Sequence, residues 1–295
     1  MLEGEVHYPD GVPKALSPLD VAQGFALLCM ARPAGDLRIQ VEEFDPAENI
    51  VVRNLPCRVA RKHTLAHDVI GLELMLPASE RLQYLPGQYV DVLLRDGRRR
   101  AFSIANAPRE DDRLELQIRH VPGGAFSEYV AHHLKERALL RLRGPLGSFY
   151  LRTEDPGPII LMAGGTGFAP VKAIVEGALA GGFDQSIHLY WGVRARHDLY
   201  MHDLAGAWAA KHDRLEYVPV LSEPRADDAW TGRTGFVHEA VLADFSDLSA
   251  FSVYASGPPV MVEAGREHFA ARGLDPARFH SDSFDYAYAT GHDDA

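Results

Sequence analysis

The stretch that decides the fold is PIILMAGGTGFAP, residues 158–170. Its first part, PIILMA, is a continuous apolar run with the character of a strand buried on both faces. It leads into Gly164, Gly165, Thr166 and Gly167, and a helical pattern then opens with Pro170 near its first turn. Glycines let the backbone turn sharply and let a ligand come close. The helix N-terminus adds free N–H groups and the positive end of a dipole, which suits a pyrophosphate. The spacing is not G-x-G-x-x-G, because Pro170 stands at the third glycine position. On pattern alone, a strand–helix turn with no ligand is the competing reading.

Downstream of this turn, SIHLYWGV, RLEYVPVL, SVYAS and RFHSDSF read as strands. Between them FAPVKAIVEGALA, DLYMHDLAGAWAAK, GFVHEAVLADF and PPVMVEAGREHFAARG read as helices. Alternation of this kind predicts a parallel sheet covered by helices. Upstream the rhythm is different. CRVARKH, VIGLELML, QYVDVLL, RAFSIAN, RLELQIRH, ALLRLRG and SFYL alternate at period two, separated by turns such as RDGR and REDD. Only GGAFSEYVAHHLKE has helical spacing there. Mostly antiparallel strands with one helix predict a small β-barrel. The two rhythms meet in the turn at residues 153–158, so the expected domains are 54–153 and 156–288, with a disordered polar tail over 289–295.

Composition narrows the function. The chain has 295 residues, 46% hydrophobic and 24% charged, with a net charge of −11. That acidity argues against a nucleic-acid backbone as partner. No apolar run reaches the ~20 residues of a membrane-spanning helix, and the acidic MLEGEVHYPD start is not a signal peptide. Two cysteines cannot build a disulfide framework, so a reducing cytoplasm is the expected setting. Among 14 histidines the candidate metal pair is His63 and His67, four residues apart as on one helical face, but its strand-like flanks favour a plain surface reading.

Two further stretches accompany the glycine turn. In RRRAFSIANAP, residues 98–108, Arg98 and Arg99 read as solvated turn residues, while Arg100 and Phe102 share a strand face at period two. In GGAFSEYV, residues 123–130, Ser127 sits in the first turn of the barrel's helix and can point its hydroxyl at the same anion, although a plain helix start is the simpler alternative.

R-x-F-S, GGAFS, GGTGFAP and SGPP, in that order, resemble the ferredoxin–NADP reductase superfamily over residues 54–288. The phrases PGQYVDV, GPLGSFYLR and GGTGFAPVKAIVE look most like bacterial members: CDP-6-deoxy-glucoseen reductases, oxygenase reductase components and free-flavin reductases. The resemblance implies an FAD barrel joined to a nicotinamide-nucleotide domain, with hydride passing from nicotinamide C4 to flavin N5. It implies that Arg100, Gly124 and Ser127 hold the FAD pyrophosphate. Phe102, where relatives usually have Tyr, would lie near the isoalloxazine, and Ser103 would hydrogen-bond near N5. Arg119 to Val121 would meet the ribityl or adenylate part, and Gly164, Gly165, Thr166 and Gly167 would carry the nicotinamide dinucleotide. Two departures stand out. Ser256-Gly257-Pro258 replaces the usual Cys-Gly, which implies a slower hydride step. Phe284, expected against the flavin, is followed by eleven residues. Ser103, Ser256 and Phe284 are thus the candidates nearest the chemistry, and a core Phe is the alternative for Phe284.

Relatives preferring NADPH often carry Ser-Arg after the third strand of this domain. Here Ser222 is followed by Glu223, whose carboxylate repels a 2′-phosphate and can accept a hydrogen bond from a ribose hydroxyl. NADH is therefore expected, with Arg194 as the counter-signal for NADPH. The segment Ala26 to Leu37 resembles the end of a fused plant-type [2Fe-2S] ferredoxin, with Cys29 as its fourth cysteine. Residues 1–45 are then a ferredoxin remnant, MLEGEV reads as an internal VLEGEV, and the other three cysteines would lie upstream of residue 1. One thiolate cannot hold the cluster, so [2Fe-2S] is expected only with a longer chain; Cys57 reads as a packed thiol. Three functions follow: a reductase for a protein partner such as a deoxysugar dehydrase or oxygenase, a reductase of free flavin or another small acceptor, and a non-catalytic nucleotide sensor. The intact R-x-F-S and GGTG motifs favour catalysis.

Overall fold

The structure is a computed structural model that describes residues 3–9, 11–13, 16, 18–28, 30–39, 50–94, 96–108, 113–155 and 157–284. Cys29 and the tail at 289–295 lie outside the described residues. The chain divides into two compact units, Met1–Glu48 and Asn49–Ala295.

The first unit is slight. Strand β1 (Val6–His7) pairs antiparallel with β2 (Arg32–Pro33), and a short helix, α1 (Pro18–Ala22), lies between them in sequence. Leu19, Phe25 and Met30 are each more than half exposed, so little apolar surface is buried to hold these elements.

The second unit begins with a six-stranded antiparallel sheet: β3 (Arg53–Ala66), β4 (Val69–Met75), β5 (Tyr89–Leu93), β6 (Arg99–Ser103), β7 (Arg113–Arg119) and β8 (Leu139–Leu146). Their order is β6-β5-β8-β3-β4-β7. The two edges curl together, with Ile104 bridging Leu116 and the Ala105 N–H donating to Glu115 O at 2.8 Å, which closes the barrel. Alternation along the strands fills it: Leu114, Leu116 and Ile118 from β7 meet Leu72 and Leu74 of β4 and Val90 and Val92 of β5. Helix α2 (Ala125–His132) adds Phe126 and Val130 to that core, each contributing roughly 1.5–3 kcal/mol by burial.

The rest is a parallel sheet with strands β9 (Ile159–Gly164), β10 (Ile187–Val193), β11 (Leu215–Leu221), β12 (Arg233–Thr234), β13 (Ser252–Gly257) and β14 (Phe279–Ser283). Helices α3 (Phe168–Ala180), α4 (His202–Lys211), α5 (Val237–Asp244) and α6 (Pro259–Ala270) alternate with them. All six residues of β9 and of β13 are buried, which explains the unbroken apolar run of β9. The order is β12-β11-β10-β9-β13-β14. The chain therefore builds outward on one side of β9 and then crosses to β13 on the other. This topological switch opens a crevice at the carboxyl ends of β9 and β13, the usual ligand position in such sheets.

Two sequence expectations differ from what is found. SFYL, residues 148–151, is not a strand. Its adjacent Phe149 and Tyr150 are both buried, an arrangement unlike one-sided strand alternation, and Phe149 packs into the core of the parallel-sheet half. The helix read from Asp198 begins at His202. Asp198 instead closes a separate single turn, accepting the Ala195 N–H at 3.0 Å. Among the described residues no helix is long and apolar enough to cross a membrane.

Candidate functional site

A cavity of about 440 Å³ opens between the barrel and the carboxyl end of the parallel sheet. Its barrel wall carries Arg100, Phe102 and Ser103 from β6, Arg119 from β7, and Val121, Gly124 and Ser127 around the start of α2. Its other wall carries Thr166 and Phe284. Nine of the sequence candidates thus share one cavity. β6 is an edge strand, so side chains from both of its faces reach the opening.

The α2 end is built for an anion. Gly124 is the N-cap and supplies no side-chain cap, so the first N–H groups of the helix are left for an external acceptor. A Cβ at Gly124 would sit 2.7 Å from Ser127 Oγ. The Ser127 hydroxyl accepts the Val121 N–H at 3.1 Å and lies 3.0 Å from both Val121 O and Gly124 O. It therefore pins the loop that leads into α2. Arg100 and Arg119 bring two cations to the same cavity.

Gly164, Gly165, Gly167, Ser256, Gly257 and Pro258 lie at the switch-point crevice beyond the cavity lining. Gly165 has φ +54, a left-handed backbone that favours glycine, and its carbonyl accepts the Trp191 Nε1–H at 3.0 Å. Trp191 is in turn stacked on Phe168, with ring centroids 3.9 Å apart. A Cβ on Gly167 would run into the Ser256 carbonyl, so the close approach of the turn after β9 to the end of β13 requires glycine there. Ser256 is fully buried, and its hydroxyl has no hydrogen-bond partner among the described residues. Such an orphan beside an open crevice fits a polar ligand group.

Ser222 and Glu223 stand apart from the cavity, at the end of β11. Their N–H groups donate to Val193 O at 2.9 Å and to Arg194 O at 2.8 Å, which sets Glu223 beside Arg194. Cys57 is buried, and burial pushes its thiol up to about 12, in keeping with an inert packed side chain.

Sequence reasoning missed Tyr89, Gln117 and Asp282, which also line the cavity. Asp282 is the most telling. The Ser103 hydroxyl donates to its Oδ2 at 3.1 Å, joining barrel to nucleotide half. Burial raises the Asp282 pKa, and the Ser103 hydrogen bond opposes that shift only in part. Asp282 is on β14, two residues before Phe284, which lies just past the end of that strand. Tyr89 lies directly across from Ser103 in the β5–β6 pairing.

Comparison with known proteins accords with this architecture. Residues 56–150 match the family described as Oxidoreductase FAD-binding domain, and residues 161–267 match Oxidoreductase NAD-binding domain. The chain is 42% identical over 284 residues to the CDP-6-deoxy-L-threo-D-glycero-4-hexulose-3-dehydrase reductase of Yersinia pestis, covering 96% of this chain and 84% of that protein. It belongs to the ferredoxin reductase family of FAD- and NAD-binding oxidoreductases. This reductase is also 36% identical to the reductase component of the naphthalene 1,2-dioxygenase/salicylate 5-hydroxylase systems of a Ralstonia species, over 94% of this chain and 83% of the relative. Among solved structures it resembles the Amycolatopsis cytochrome P450 reductase GcoB, with TM-score 0.79, 35% identity, and 96% and 85% of the two chains covered. The antiparallel FAD half and parallel nucleotide half expected from the sequence are both present. The reductase is an NAD(P)H-dependent flavoprotein oxidoreductase with FAD and a nicotinamide dinucleotide as its cofactors.

Proposed function

We propose that this reductase works in the cytoplasm, takes hydride from NADH onto FAD, and delivers electrons to a separate redox protein, a deoxysugar dehydrase or an oxygenase component. The observation that carries the reading is the junction of Ser103 with Asp282, where a single cavity runs from the cationic α2 end to the switch-point crevice. FAD, when bound, accepts the hydride and releases its electrons one at a time.

The residues divide the remaining work. Arg100, Arg119 and the α2 N-terminus bind the pyrophosphate and phosphate charges. Phe102 and Phe284 supply aromatic faces that exclude water. Ser103 positions a hydroxyl at the reacting edge, and Asp282 orients it by accepting its hydrogen bond at 3.1 Å. Ser256 offers its hydroxyl to the nicotinamide carboxamide, while the glycine turn at Gly164–Gly167 admits the dinucleotide. Glu223 accepts from a ribose hydroxyl, which favours NADH over NADPH. The likeness to a hexulose-dehydrase reductase supports the deoxysugar partner, and the chain's two cysteines support a reducing compartment.

Anaerobic mixing of the FAD-loaded protein with NADH tests the reading. The flavin absorption is expected to bleach, and kcat/KM is expected to favour NADH. Failure to bleach would return the protein to a sensing role, and an NADPH preference would overturn the assignment of Glu223. Reoxidation by a purified hexulose dehydrase, with free FMN giving no comparable turnover, supports the protein partner; the reverse supports a free-flavin reductase.

A further inference from the structure

We propose that His67, His197 and Asp198 form a binding site for a divalent transition-metal ion of the zinc class, tying the barrel to the nucleotide half. The three residues come from different parts of the second unit. His67 lies in the turn between β3 and β4, and His197 and Asp198 lie in the single helical turn after β10. One ligand atom from each lies within 4.8 Å of the others.

The spacing fits a shared ion better than direct hydrogen bonds. His67 Nδ1 is 3.7 Å and His197 Nε2 is 3.3 Å from the same oxygen, Asp198 Oδ1. Both exceed the 2.7–3.2 Å typical of N–H···O bonds. Metal–ligand bonds of about 2.0–2.2 Å in a tetrahedron place neighbouring ligand atoms about 3.3–3.6 Å apart. The His67 and His197 rings meet edge to face with centroids 4.8 Å apart, and a nitrogen of each lies near the same Asp198 oxygen. Two imidazoles and one carboxylate make a donor set suited to Zn²⁺, Ni²⁺ or Cu²⁺. Both imidazoles are exposed at their edges, so water can complete the coordination.

A supporting shell is already in place. Asp198 Oδ2 accepts the Ala195 N–H at 3.0 Å, which orients the carboxylate and leaves Oδ1 for the ion. On the far side of His67, Nε2 lies 3.8 Å from Asp68 Oδ1, a buried oxygen with no hydrogen-bond partner among the described residues. A ligand through Nδ1 puts the proton on Nε2, where Asp68 is the natural acceptor. Asp68 Oδ2 is 3.3 Å from Arg119 Nε, so the carboxylate behind His67 is itself anchored by a guanidinium. Arg119 in turn lies against Gly165 and lines the cavity, so the ion would be linked to the dinucleotide site through His67, Asp68 and Arg119.

A second cluster, His120, Glu128 and His132, makes a useful control. Each Glu128 oxygen there is 3.2 Å from one histidine Nε2, and Oε1 also accepts the Gly123 N–H, so its nitrogen–oxygen contacts are shorter than those around Asp198 Oδ1.

Calorimetric titration of the FAD-loaded full chain with ZnCl₂ tests the proposal. Wild type is expected to take up an equivalent of Zn²⁺ that the His67→Ala/His197→Ala double variant does not. Each single variant should weaken that equivalent at least tenfold, in line with the 10–100-fold cost typical of disturbing even an outer partner. His132→Ala should retain it. Zinc should also raise the melting temperature of wild type and not of the double variant. No zinc uptake at millimolar concentration, or uptake unchanged in the double variant, overturns the proposal. So does loss in His132→Ala with retention in the double variant. Both histidines are exposed, so their removal leaves the packed core intact, and the flavin spectrum of each variant verifies folding.

Discussion

Replacing Lys172 with Met should separate the two halves of the second unit energetically. Lys172 projects from α3, the helix that follows the glycine turn, and is 3% exposed. Its Nζ donates to Glu115 Oε2 at 2.8 Å, to Glu176 Oε1 at 2.7 Å and to Ala105 O at 2.8 Å. Glu115 and Ala105 belong to the barrel, so one ammonium holds the nucleotide half against it. Methionine matches the stem but removes the charge and three donors. Breaking a fully buried pair costs about 3–5 kcal/mol, because the partner's charge is left uncompensated. Both glutamates are 21% exposed, which lowers that figure through solvation, while the orphaned Ala105 carbonyl adds to it. A net loss of about 3 kcal/mol follows, equivalent to roughly 6–12 °C in melting temperature for a unit of this size. Scanning calorimetry of the flavin-loaded protein measures it. The triple variant Lys172→Met/Glu115→Gln/Glu176→Gln should recover at least half of the loss, since no bare charge remains. A single variant melting within about 2 °C of wild type, or a triple variant no better than the single, refutes the reasoning.

Other outcomes follow from the same geometry. Asp282 binds its proton more tightly in the folded state than when unfolded, so the stability it contributes is present at acid pH and is lost as pH rises through its raised pKa. Asp282→Asn should flatten that part of the profile, as melting curves between about pH 4 and 8 would show. Arg100→Gln should weaken FAD binding about 10–100-fold, the worth of one charge-assisted hydrogen bond, as read by flavin fluorescence on dilution. Glu223→Arg should shift the kcat/KM ratio toward NADPH, and an unchanged ratio would remove Glu223 from cofactor choice. Gly167→Ala should cost about 1–3 kcal/mol from the collision with the Ser256 carbonyl and weaken NADH binding, measurable by melting and by KM.

Much of the candidate site was legible because its parts are local. Gly124 before the barrel helix, Arg100 and Ser103 on one strand, and the glycines after β9 announce themselves through short-range spacing. Phe284 was legible through family likeness, and the structure lines the cavity with it. Asp282 was not read, although it lies only two residues before Phe284, because its partner Ser103 is 179 residues away. The segment SFYL was misread because neighbouring Phe149 and Tyr150 are buried in tertiary contacts that a period-two rule does not contain. The helix beginning at His202 was placed too early because Asp198 folds back on Ala195.

The sequence by itself determined two rhythms of hydrophobicity and a glycine turn between strand and helix, and thereby an antiparallel barrel followed by a parallel, helix-covered sheet. Those features depend on residues a few positions apart, where backbone periodicity and glycine's conformational freedom act directly. Tertiary structure alone decided which distant side chains meet. Lys172 finds Glu115, Ser103 finds Asp282, and His67 finds His197 only because the barrel closes on itself and packs against the switch point of the parallel sheet. Spacing along a chain carries no record of such meetings, since they are set by how two separately formed cores bury their shared surface.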